Sequence, residues 1–171
     1  MNVVLLSIHV LAAIVLIGPI TVAASLFPRY ARGELARAQA RAGTSGGASD
    51  GPTGPRVTQV LHRITAVYAV AALAVPVFGI GTAATLDALG QVWLIVSMAL
   101  TAVAALNLAL LVVPAQREVI ALLDRPSPDP DGPRLVEARL GRLAMSTGLF
   151  GLTWAIVVVL MILRPGSTTG V

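Results

Sequence analysis

The sequence predicts an all-α fold: a four-helix transmembrane bundle, antiparallel and up-down, with both termini outside. Composition is the first observation behind this. The chain has 171 residues, 56% hydrophobic and only 12% charged, with a mean hydropathy of +0.85. A soluble domain carries roughly a quarter charged residues, so this chain lacks the polar shell a water-surrounded globule needs. The second observation is four stretches without Asp, Glu, Lys or Arg: Val3 to Phe27, Ile64 to Leu86, Gln91 to Pro114 and Leu143 to Leu163. A bilayer core about 30 Å thick takes about 20 residues of helix, and irregular backbone facing lipid would leave N–H and C=O groups unpaired. The third is where the arginines fall. Of twelve, eleven lie in the two long connections or at their mouths and only Arg164 lies on the other side, a strong positive-inside pattern.

The spans are therefore expected at about 3–27, 64–86, 91–114 and 143–163, within one integral membrane domain covering 1–171, with cytoplasmic linkers at 28–63 and 115–142. The first span is read as uncleaved. "TVAAS" at Thr21 to Ser25 offers small residues like a cleavage site, but no Lys or Arg precedes the apolar run. The run also exceeds the 7–15 residues of a signal-peptide core. After it, "RYARGELARAQARA" (Arg29 to Ala42) continues the helix past the headgroups, with Glu34 placed to support Arg37. "GTSGGASDGPTGP" (Gly43 to Pro55) is a flexible tether. Pro19 in the first span and Pro76 in the second are expected to kink their helices rather than break them. Asp87 to Gly90 leaves room only for a tight turn into the third span. "DRPSPDPDGP" (Asp124 to Pro133) breaks the helical pattern, and "RLVEARLGR" (Arg134 to Arg142) resumes it as an amphipathic lead into the fourth span. Asp129 and Asp131 do not form an EF-hand, because Pro126, Pro128 and Pro130 forbid its compact loop.

Helix association in lipid depends on small residues and hydrogen bonds more than on leucine burial. Thr101, Ala105 and Ala109 supply such a face on the third span, Thr147 and Gly151 on the fourth, Gly79, Thr82 and Ala83 on the second, and Ala12 and Ala13 on the first. Asn107, the one amide in the interior of a span, is expected to turn inward to a carbonyl or hydroxyl.

Several functions are excluded or disfavoured. The chain has no Cys, so it has no disulfide framework, thiolate-bound metal or thiol nucleophile. It has no Gly-Lys-Ser phosphate loop, nucleophile elbow or His-Glu-x-x-His motif. The net charge of +4 comes from arginine alone. Only one aromatic, Tyr30, falls among the linker arginines, too few for the stacking platforms nucleic acid would require, and anionic lipid headgroups are the expected partner, at about 1 kcal/mol per arginine. Arginine without lysine, among much Ala, Gly, Val and Pro, resembles coding from a GC-rich bacterial genome.

The two histidines, His9 and His62, are the candidates for chemistry, because an ionisable group in a span is expensive. At 1.5 Å per residue His9 lies about 9 Å outward of its span's midpoint and His62 about 20 Å inward of the midplane, too far apart to share one haem. His62, beside Arg63, is read as interfacial. Met98 and Met161 share the depth of His9, and imidazole with thioether is a ligand set for haem iron or Cu(I). The alternative is a structural imidazole bonded to Ser97, Thr82 or a carbonyl. His9 shares a stripe with Leu5, Ala12, Ala13 and Leu16 that faces the other helices.

The opening "LSIHVLAAIVLIGP" resembles the start of an uncharacterised family of small bacterial, often actinobacterial, four-span integral membrane proteins, through Ile8, His9, Ala12, Ala13, Gly18 and Pro19; Val75, Pro76 and Gly79 are similar to its second span. More distantly, the first-span His with Gly and the Pro28-Arg29 pair resemble the CopD and HemJ-like group, which implies copper or haem handling, although Pro28-Arg29 lies far from Gly18 and no other span carries a histidine.

The leading expectation is a non-enzymatic accessory or interaction subunit of the bacterial inner membrane, with no cofactor. The alternatives are a haem or copper protein using His9, Met98 and Met161, and a small transporter or channel whose oligomer lines a pore with Asn107. The topology is testable on this cysteine-free chain. A cysteine at Ser45 or Ser127 is expected to resist an impermeant thiol reagent in intact cells and to react after permeabilisation; labelling from outside would reverse the orientation.

Overall fold

The computed structural model describes residues 3–42, 56–86, 88–124 and 131–166. The glycine-rich tether at 43–55, Asp87 in the tight turn, and residues 125–130 of the proline-rich breaker, Asp129 included, lie outside them. Among the described residues the chain is helical, without strands: α1 (Val3–Ala42), α2 (Val57–Ala71), α3 (Ala74–Thr85), α4 (Val92–Asn107), a π-helical turn (Leu108–Val112), α5 (Val113–Asp124) and α6 (Gly132–Leu163). These form four rods long and apolar enough to cross a membrane. The 40 residues of α1 extend about 60 Å at 1.5 Å per residue, twice the bilayer's apolar thickness. Its C-terminal half, with the flanking parts of α2, α5 and α6, carries the bundle beyond the apolar spans.

Proline decides where the rods are interrupted. Pro19 and Pro28 sit inside a continuous α1. Pro76 does more than kink its span: regular helix stops at Ala71 and restarts at Ala74. The physical reason is local. Pro76 has no N–H for the Ala72 carbonyl, and that carbonyl is served instead by Val75 N–H, 3.0 Å away, in a tighter turn. The π turn before Pro114 has the same origin. Proline would crowd and orphan the carbonyl four residues back, Leu110. The chain widens there, with Val113 N–H reaching back to Leu108 O.

Contacts along neighbouring rods run in opposite numerical sense. On α1, His9 meets Val75 and Glu34 meets Thr58. Between the third and fourth rods Asn107 meets Ser146 and Glu118 meets Arg139. Between the second and third, Arg56 meets Asp124 and His62 meets Gln116.

Packing is unequal along the bundle. No residue from 3 to 16 on α1 is buried, whereas Phe27, Val112, Val119, Leu140 and Leu143 near the arginine-rich end are fully enclosed. At the opposite end Ala83, Ala88, Trp93 and Leu94 form a smaller cluster. There Trp93 Nε1 donates to Gln91 Oε1, and the Arg164 guanidinium sits 5.7 Å from the Trp93 ring centroid, a contact contributing about 0.5–1 kcal/mol. The small face expected on the third span is displaced. Ala105 and Ala109 are exposed, and Ser97, Ala104 and Leu108 are buried instead. Adjacent alanines look alike in sequence, and only the packed partner selects between them.

Three arginines read from sequence as headgroup contacts have carboxylate partners on other helices. Arg32 pairs with Glu137 at 3.1 Å, Arg56 with Asp124 at 2.9 Å, and Arg139 with Glu118 at 2.9 Å. These half-exposed pairs contribute about 0–1 kcal/mol each, so they set register more than stability. Packing carries the stability. Leu140→Ala, which empties an enclosed site, is expected to cost about 2–5 kcal/mol. Leu149→Ala, at a side chain 52% exposed, is expected to change stability by under about 0.5 kcal/mol. Thermal unfolding of both variants in one detergent checks the contrast.

Candidate functional site

Polar side chains within the bundle are gathered in three places. The first is His9. Its Nδ1 lies 3.0 Å from the Val75 carbonyl oxygen; a carbonyl only accepts, so Nδ1 carries the proton. The partner is a carbonyl, one of the three kinds the sequence leaves open. Gly79 makes the approach feasible, since a Cβ there would stand 2.9 Å from His9 Cε1 and 3.3 Å from Nδ1. One turn earlier Leu5 lies against Gly81. The interrupted helix therefore presents glycines to α1, and the imidazole ties the two rods together.

The second place is the arginine-rich end. Gln116 is fully buried, its Nε2 3.4 Å from Thr65 Oγ1 and its Oε1 3.2 Å from His62 Nδ1. Thr65 Oγ1 spends its only proton on Leu61 O at 2.9 Å, so it accepts from the Gln116 amide. That turns the amide oxygen toward His62 and puts the His62 proton on Nδ1. His62 is thus held inside the bundle by Gln116 rather than left at the headgroups. One turn away, Glu34 does not support Arg37. Its carboxylate accepts from Thr58 Oγ1 at 2.9 Å and Thr58 N–H at 3.3 Å. Arg56, the N-cap of α2, makes no side-chain capping bond, and a carboxylate from α1 occupies the positive end of that helix. The sequence reading missed this network because it placed Gln116 and Thr58 in linkers. A signal was present: Thr58, His62 and Thr65 recur at four and three residues, a polar stripe on one helical face.

The third place is mid-span. Asn107 Nδ2 donates to Ser146 O on α6 at 2.9 Å, the inward carbonyl bond expected. Asn107 is only 7% exposed, so it is not on an outer surface where an oligomeric pore would be lined. Its Oδ1 and the hydroxyl of Thr147 are buried without a hydrogen-bond partner. Other hydroxyls in the spans, those of Thr21, Thr65, Thr82, Ser97 and Thr101, bond to the carbonyl four residues back, a common recourse in apolar surroundings.

The candidate ligand set is dispersed among different surroundings. His9 faces Val75 and Gly79. Met98 is 42% exposed and turned outward. Met161 packs on the cluster of Ala83, Ala88, Trp93 and Leu94. A His9–Met98 pair would need the Met98 thioether turned into the bundle, so these residues do not fit a haem or copper centre as they stand. Among the described residues no three His, Asp or Glu side chains come together as a metal cluster. His9, Gln116 and Asn107 each bond to a group on another helix. No family model, curated protein or solved structure matches this chain.

Gly79→Ala is expected to destabilise by about 1–3 kcal/mol through overpacking on His9, and to cost far less in a His9→Ala background. Equal costs in both backgrounds would show that the contact is not what requires glycine. Gln116→Leu strands the Thr65 and His62 partners and is expected to cost about 1–3 kcal/mol. Unfolding midpoints in detergent measure all of these.

Proposed function

We propose that this chain is a multi-pass protein of the bacterial cytoplasmic membrane, a non-enzymatic accessory subunit that works by binding other transmembrane helices. In this reading the bundle is antiparallel and up-down, both termini are outside, and the arginine-rich end is cytoplasmic. The opposite numerical sense of the paired residues supports the antiparallel arrangement, and the eleven arginines at one end support the orientation.

The observation that carries the interaction role is a face of α6 that none of the described residues covers. Gly141, Ala144, Gly148 and Ala155 lie on one exposed side of that helix. A Cβ added at Gly141 or Gly148 would meet no atom within 4 Å among the described residues, so no contact among them requires glycine there. Small residues at such spacing let a second helix approach closely enough for backbone contacts and dispersion, which drive association where lipid competes with leucine. The bundle's own packing supports the same reading. Residues 3–16 of α1 include none that is buried, and the polar groups of His9, Gln116 and Asn107 link helices.

Cysteines placed singly at Ala144 and Gly148 are expected to cross-link under mild oxidation in native membranes, while cysteines at Val103 and Leu106, exposed on α4, do not. The mass of the product separates a second copy of the chain from another membrane protein. Cross-linking no better at Ala144 and Gly148 than at Val103 and Leu106 would remove the face from the proposal.

A further inference from the structure

Beyond the helix-binding face, α6 borders a groove with a different character. The groove lies between α6 and the rod formed by the π turn and α5, and has a volume of about 270 Å3. It is lined by Glu118, Arg139 and Arg142 together with Leu110, Leu111 and Leu143. Arg142 is the last charged residue before the uncharged run of the fourth span, and Glu118 is the first carboxylate after that of the third. The groove therefore crosses the boundary between apolar span and charged extension.

Its charges are unequal. Glu118 is taken up by Arg139 at 2.9 Å, whereas Arg142 has no ion pair among the described residues, which leaves one positive charge in excess. Leu110 and Leu111, neighbours in the π turn, are 65% and 54% exposed and give the same groove an open apolar wall. At about 30 Å3 per water, the space equals roughly nine waters. That accommodates a phosphate with its glycerol esters, and any attached chains would lie outside along the leucines.

We infer that this groove is a binding site for one anionic phospholipid, its phosphate held by the Arg142 guanidinium and its acyl chains laid on Leu110 and Leu111. Arginine suits the role because its planar fork matches phosphate oxygens. Basic pockets between helices at the interface are where acidic lipid headgroups are recognised. Arg139 is already paired with Glu118, so it adds no net positive charge for a second anion. This inference rests on the membrane placement of the spans proposed above, but not on the helix-binding face of Gly141, Ala144 and Gly148. Cross-linking there and lipid retention here fail independently.

The test uses the full chain, purified in detergent and offered phosphatidylglycerol, phosphatidylcholine, glycerol 3-phosphate or inorganic phosphate, with bound lipid read by native mass spectrometry. One phosphatidylglycerol is expected to be retained under conditions that strip phosphatidylcholine. Arg142→Gln should weaken that retention about tenfold, as for loss of one charge-assisted contact. Arg63→Gln, which removes an exposed arginine outside the groove, should change it less than about twofold by weak surface electrostatics. Leu111→Glu should abolish retention without moving the lipid-free unfolding midpoint. Equal losses at Arg142 and Arg63 would replace the site with diffuse attraction, and failure to retain phosphatidylglycerol over phosphatidylcholine would overturn it. Glycerol 3-phosphate or inorganic phosphate binding as tightly, with the same dependence on Arg142, would mark a soluble-anion site and likewise overturn the lipid assignment.

Discussion

Inside hydrocarbon no water takes up an unpaired N–H or C=O, and most of this structure follows from how the chain meets that demand. Helix satisfies it residue by residue, and the apolar stretches are helical for that reason. Proline strains the arrangement within a helix, because it withholds one donor and crowds one carbonyl; α1 continues through Pro19 and Pro28, but the second and third rods do not stay regular. Each irregularity in the second and third rods is a local answer to that deficit. Ala72 O accepts from Val75 N–H where the second rod is interrupted, and the third rod widens into a π turn ahead of Pro114.

These local answers have consequences for how helices meet. Restarting the second rod at Ala74 leaves the Val75 carbonyl facing α1, where His9 takes it, and sets Gly79 beneath the imidazole. Histidine, glycine and proline thus form one device: the proline reshapes the helix, the glycine admits the ring, and the ring joins the rods. The π turn begins just after Asn107, whose amide reaches α6, and it places Leu110 and Leu111 on the outer wall of the groove beside Arg142.

The bundle changes character along its length. Toward the arginine-rich end it resembles a soluble helical bundle, with an enclosed core of Phe27, Val119 and Leu140, a buried glutamine network and ion pairs between helices. Toward the other end the side chains of α1 are open, as suits a surface whose neighbours are lipid tails or other helices. Hydrophobic burial from water organises the first region. In the second, close approach at small residues and a few polar bonds carry the association.

Sequence alone determined the helical class, the four apolar rods and the concentration of arginine at one end, because these depend on composition and on bilayer thickness and not on any partner. It also indicated that Asn107 turns inward, since an amide in a span has no lipid alternative. What it left open is which of several chemically equal choices is made. Ala104 rather than Ala105 faces α6, Thr58 rather than Arg37 holds Glu34, and a carbonyl rather than a hydroxyl receives His9. Only the packed helices decide these, because each choice is set by the position of an atom distant in sequence. Gln116 shows the limit most clearly: in a one-dimensional reading it is a polar residue in a connection, and in the folded chain it is fully buried, bonded to Thr65 and to His62.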